Sequence, residues 1–251
     1  MAGKIVKTDM LKRYILKFII RLAVFLSVFS LYVTNRQLLD DFLANKYFFP
    51  IGSFQISPLH ILWALFMLMM LLHLFPNKTL TMALMKSKES NYEEVEGYSK
   101  LKLLEYAQDQ NVRAWKVMLL WLSFNAIWGF LYLFDVIAAV DLWMLTVFYF
   151  LCDYICILFY CPFQTYLMGN KCCVNCRIYD WGHFMMFTPM LFIRSFYSWS
   201  LFFTALVVLI RWEIVYTGNP HLFWSGSNKR LQCSHCKDKT CQMKNKIKKG
   251  V

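Results

Sequence analysis

The stretch HFMMFTPMLFIRSFYSWSLFFTALVVLIR (183–211) decides the fold. Its first eleven residues carry no Asp, Glu, Lys or Arg but contain Pro189; Arg194 follows, then sixteen uncharged residues, then Arg211. A single crossing of a bilayer would send the tail, with Lys229, Arg230, Lys237, Lys239, Lys244, Lys246, Lys248 and Lys249, to the side opposite the other basic segments. Lys and Arg collect on the cytoplasmic side of membrane proteins, so such a crossing breaks the rule that sets their orientation. The stretch therefore reads as a helical hairpin or re-entrant pair that enters and leaves on one side, wrapped by other helices. An interfacial helix over 181–194 followed by one crossing is the other reading.

Working outward, four further apolar segments precede it, at about 14–34, 56–75, 115–134 and 142–168, the last interrupted by Asp153. ISPLHILWALFMLMMLLHLF (56–75) is twenty residues without a charge, about what an α-helix needs to cross roughly 30 Å of hydrocarbon. The chain of 251 residues is 59% hydrophobic and only 17% charged, displaced on both counts from an ordinary globular domain. The expected fold class is an all-α integral membrane protein, a polytopic helical bundle with four transmembrane helices plus a C-terminal helical hairpin or fifth span. Residues 1–216 form the transmembrane domain and 217–251 a basic, cysteine-containing tail. The N-terminal apolar run lacks a small-residue cleavage site and reads as a retained signal anchor, with Lys17 and Arg21 snorkelling from its first turns.

Basic residues mark the N-terminus, the 77–113 loop and the tail, whereas the 35–55 loop and DVIAAVD (135–141) have few or none. Both termini and the 77–113 loop are accordingly expected in the cytoplasm of a cell membrane, plasma or bacterial inner. Within that loop, 98–110 has the composition of a short amphipathic surface helix or a solvated connector. Trp115, Trp143, Trp181 and Trp224 suit aromatic belts at the two interfaces.

Cysteines carry the strongest chemical pattern. NKCCVNCR (170–177) and QCSHCKDKTC (232–241) each hold a Cys-x-x-Cys pair, Cys173/Cys176 and Cys233/Cys236. Two residues between cysteines let both sulfurs face one ion while the turn aims backbone N–H groups at them, and two such pairs supply four thiolates. Cys172 and Cys241 are additional or substitute ligands. A cytoplasmic site disfavours disulfides. Zinc is the expected ion, with an iron–sulfur cluster as alternative because the spacing fits no ferredoxin pattern. The role expected is structural or sensing. A membrane thiol/disulfide oxidoreductase cycling the same two pairs is a rival reading, from which the inward placement of both pairs departs. Cys152, Cys156 and Cys161 read as small apolar packing residues.

Polar residues within apolar segments supply a third reading, a small transporter or channel. Asp153 and Arg194 both count to mid-bilayer, about 17 and 20 Å deep at about 1.5 Å per residue, and are expected to pair, with Asn125 as a third member. No internal repeat supports this reading. His60 and His73 are thirteen apart, but no second helix carries a matching pair for haem. The tail lysines keep the tail inside and suit anionic lipid or a protein partner; without interleaved aromatics they do not suit nucleic acid. No nucleotide motif, nucleophile triad or His-Glu metal helix is present.

Overall fold

The computed structural model describes residues 8–44, 46, 49–51, 54–75, 81–170 and 172–244. Lys171, Lys246, Lys248 and Lys249 lie outside the described residues. The chain runs through α1 (Asp9–Thr34), α2 (Arg36–Leu43), a short antiparallel pair β1 (Phe49–Ile51) and β2 (Phe54–Ile56), α3 (Pro58–Leu74), α4 (Met82–Met85), α5 (Lys100–Leu133) and α6 (Ala139–Leu158). After a π turn at Phe163–Leu167 come α7 (Gly182–Phe187), a 3-10 turn at Thr188–Phe192, and α8 (Phe196–Gly218). Four of these helices, α1, α5, α6 and α8, are long and apolar enough to cross a membrane. α3 is apolar throughout but has 17 residues.

Hydroxyl side chains start the helices where the sequence offers them. Thr8 accepts the Leu11 N–H ahead of α1, Ser99 that of Lys102 ahead of α5, and Ser195 that of Ser198 ahead of α8. Each cap satisfies one of the backbone donors that a helix N-terminus leaves unpaired. At α3, Pro58 occupies the first turn while Ser57 and His60 cap each other. α6 ends at Leu158, ten residues short of the segment read from hydropathy. Pro162 disfavours helix at the residue before it and cannot donate to the helical ladder. α5 is longer than expected: the 98–110 stretch is continuous with the apolar segment after it, giving one helix of 34 residues.

Side-chain contacts define two poles. α1 runs antiparallel to α6, with Tyr14 by Tyr154 at one end, Arg21 on Asp153 in the middle and Arg36 on Asp141 at the other end. The near pole, where α1 starts, collects α4, the start of α5, the 159–181 segment and the tail. The far pole collects α2, the β pair, the 134–138 turn and residues 193–195.

The 183–211 stretch doubles back. Arg177 meets Asn111 on α5, Trp121 donates its indole N–H to the Thr188 hydroxyl, and Phe192 lies over Gly129. The leg from 177 to 192 thus runs along α5 towards the far pole. α8 then returns beside that leg. The Trp199 indole donates to Leu191 O at 3.2 Å, Phe184 and Phe202 meet ring to ring, and the Trp212 indole donates to Arg177 O at 2.7 Å. Glu213 closes the open end, accepting from the Arg177 guanidinium and from the Trp181 indole N–H. Phe187, Met190, Trp212 and Tyr216 are buried between leg, α8 and the surrounding helices. Apolar residues such as Leu16, Ile61, Leu119 and Ile214 point outward and are exposed. Apolar faces of this extent suit hydrocarbon better than water.

Candidate thiol-rich pole

The two cysteine segments, some sixty residues apart in sequence, meet at the near pole. The tail is held there by its backbone: Lys229 N donates to Glu93 O at 2.7 Å, Val95 N to Ser227 O at 2.9 Å, and Met82 N to the buried Asp238 at 3.4 Å. Leu222, Phe223 and Leu231 are buried there as well.

Within the pole the thiols sort differently from the expected pairing. Cys172 faces the tail. Burial pushes its thiol up, the N–H groups of Val174 and Asn175 hold it down, and Cys236 and Cys233 push it up again. Cys241 is raised by burial and then by the same neighbours, Cys172, Cys236 and Cys233. These four form an outer group. Cys173 and Cys176 turn the other way, into the protein, and are buried. Cys172 and Cys241, read from sequence as additional or substitute ligands, are the thiols that sense Cys233 and Cys236, while Cys173 and Cys176 lie buried.

The inner group gathers a cysteine read from sequence as packing. The Cys161 sulfur accepts the Gln164 N–H at 3.4 Å. Its thiol is pulled down to about 7 by a hydrogen bond from Cys156, against burial, and then by that N–H and the Lys244 charge. Cys173 donates to Gln164 Oε1 at 3.3 Å, and Lys244 Nζ lies 2.6 Å from the same oxygen and 2.9 Å from the Cys173 sulfur. Burial pushes Cys173 up to about 12 against Lys244, and Cys176 up to about 11 against Lys86. Lys86 is 2% exposed and donates to Val174 O at 2.7 Å and Cys176 O at 2.8 Å. Burial drops it to about 8.

Sulfurs that accept backbone N–H groups recur across both groups: Cys161 from Gln164, Cys172 from Val174 and Asn175, Cys176 from Ile178, Cys236 from Lys239. Such bonds favour the charged thiolate over the thiol. Among the described residues, however, no group of three or more His, Cys, Asp or Glu side chains stands in position to hold a metal ion. The sulfurs are neighbours without converging on a point.

The intramembrane polar residues also sort differently. Asp153 accepts from Arg21 at 2.7 Å, and the Arg21 guanidinium lies over the Phe150 and Tyr154 rings at 4.1 Å each. Arg194 is exposed at the hairpin apex, just before the Ser195 cap, and does not meet Asp153. The leg spends its length reaching the far pole, so Arg194 emerges there instead of stopping at mid-depth. Asn125 is buried between Trp121 O and the Tyr149 hydroxyl, away from Asp153. Arg21 does not snorkel, because α1 begins at Asp9 and places it well inside the helix.

Sequence reasoning weighed His73 only against haem and missed its partner: its Nδ1 lies 2.8 Å from the Asp180 carboxylate, with the His183 ring at 4.6 Å. Its signal was a histidine and an aspartate both at near-pole helix ends. His60 caps α3 and meets the Tyr197 hydroxyl at 2.8 Å. Lys17, Arg21, His73, Asp153, Asp180 and His183 line one end of a cavity of about 710 Å³, apolar elsewhere, between α1, α3, α6 and α7.

Fold and site together define a class: a largely helical bundle with four helices of membrane-crossing length and apolarity, and one pole at which the cysteines of two distant segments meet. No family model matches the chain, and no curated protein or solved structure matches it either.

Proposed function

We propose that this is an integral membrane protein whose cytoplasmic pole is stapled by a thiolate metal centre built from Cys172, Cys233, Cys236 and Cys241, with a structural or sensing role. One observation carries the reading: four thiols from two distant segments are neighbours at a single pole, on sulfurs two of which already accept backbone N–H groups. Zinc is the favoured ion and an iron–sulfur cluster the alternative. The near pole faces the cytoplasm in this reading because it carries the Lys and Arg-rich segments. Its basic surface suits anionic lipid or an acidic protein partner.

Elemental analysis of anaerobically purified protein tests it. At least one tightly bound metal equivalent is expected, lost when Cys233→Ser and Cys241→Ser are combined. Metal-free protein with a titratable dithiol would overturn the staple in favour of the thiol oxidoreductase. A small transporter keeps one supporting observation, the cavity bearing Asp153 and Arg21; ion or solute uptake into proteoliposomes, abolished by Asp153→Asn, is its test.

A further inference from the structure

The walls of the 710 Å³ cavity are graded from charged to apolar. α1 packs on α6 and α3 on α8, and the cavity occupies the space between these two pairs. One face of α1 borders it through Met10, Arg13, Lys17, Arg21, Val24 and Val28, at spacings of three and four that share one side of a helix. Three cations lie on the turns nearest the near pole, and aliphatic side chains follow. α3, which starts at the far pole and ends at the near one, repeats the gradient. Leu62, Trp63, Phe66 and Met69 come first and His73 last. The polar ends of the two helices therefore coincide.

The charges at that end are not all matched. Asp153 accepts from Arg21 at 2.7 Å, and Asp180 lies 2.8 Å from His73 Nδ1. Each carboxylate thus has its own partner. Arg13 and Lys17 are exposed and form no ion pair among the described residues. Along the rest of the wall, Val24, Leu62 and Leu65 line the cavity and are also exposed. Apolar surface of this kind is covered favourably by hydrocarbon, and two surplus cations favour a negative group beside it.

We infer that the cavity binds a single-chain amphiphile with an anionic head, its head on Arg13 and Lys17 and its chain along Val24, Val28 and the apolar face of α3. Arg13 to Val28 spans about 22 Å at about 1.5 Å per residue, which fits an extended acyl chain. The volume also falls within the range of about 300–1,000 Å³ usual for ligand pockets. Recognition divides between the two ends: the cations select the charge of the head, and the apolar wall accepts any chain that fits. This site lies inside the bundle, apart from the basic tail. It rests on the membrane placement of the helices and on none of the cysteines of the staple.

Photolabelling of the intact chain in phosphatidylcholine nanodiscs tests this, with lysophosphatidate carrying a diazirine at its chain end as the probe. Saturable labelling is expected on the peptides around Val28 and Leu62. Unlabelled lysophosphatidate should displace the probe at least about tenfold more effectively than lysophosphatidylcholine, since each of two cations favours an anionic head. Arg13→Gln with Lys17→Gln should erase that preference while the labelled positions stay the same. Cys233→Ser with Cys241→Ser should leave labelling intact, so the lipid site and the staple stand or fall separately. Labelling that never saturates, or that is confined to the outward-facing Leu119 and Ile214 peptides, reduces the contact to bulk lipid and overturns the site. Equal displacement by the two lysolipids overturns the role of the cations. Displacement by inorganic phosphate as effective as that by lysophosphatidate would show a free-phosphate site and overturn the lipid. Should the Arg13/Lys17 variant aggregate, the labelled positions and displacement ratio of wild type decide.

Discussion

Arg21 and Asp153 are joined across α1 and α6 at 2.7 Å, with the guanidinium sandwiched between two aromatic rings. Removing one partner of a fully buried pair costs about 3–5 kcal/mol, and this pair is half-buried, so the cost here falls below that range. Arg21→Leu should therefore lower the melting temperature in detergent, and adding Asp153→Leu should restore much of it. Arg194→Leu, at the exposed apex, should change stability by no more than about 0.5 kcal/mol. A melting series over these three variants that instead ranked Arg194 with Arg21 would refute the pairing. Sequence showed that a mid-depth aspartate needs a cation but named the wrong one. Which cation depends on where a helix starts, and the Thr8 cap that sets the start of α1 is a weaker signal than the apolar run that follows it.

Among the elements, the hairpin depends on close approach. A Cβ at Gly129 would lie 2.2 Å from the Phe192 ring, so α5 and the descending leg touch there without room for a methyl group. Overpacking of this kind costs typically about 1–3 kcal/mol. Gly129→Ala should destabilise by that order in thermal unfolding, and Phe192→Ala in the same chain should relieve part of it; additive losses would mean that the two elements do not meet. The turn at 193–195 was legible in Arg194, which breaks the apolar run. Helix ends were less so. The end of α6 is set by Pro162 and the start of α5 by Ser99, both local signals inside longer patterns that hydropathy averages away.

At the scale of the whole molecule, the hairpin puts both cysteine segments at one pole. In right-side-out vesicles a membrane-impermeant maleimide should miss Cys233, which is exposed, yet label Ile137→Cys on the far turn. Labelling of Cys233 from outside would place the poles in the opposite order. α5 adds a further consequence. Thirty-four residues at about 1.5 Å each span about 51 Å, some 20 Å more than a bilayer's hydrocarbon. The surplus is anchored at the near pole, where Tyr106 stacks on Trp224 and Asn111 holds Arg177. In the proposed membrane placement this surplus would act as a mast, carrying the sulfur-bearing pole beyond the lipid headgroups.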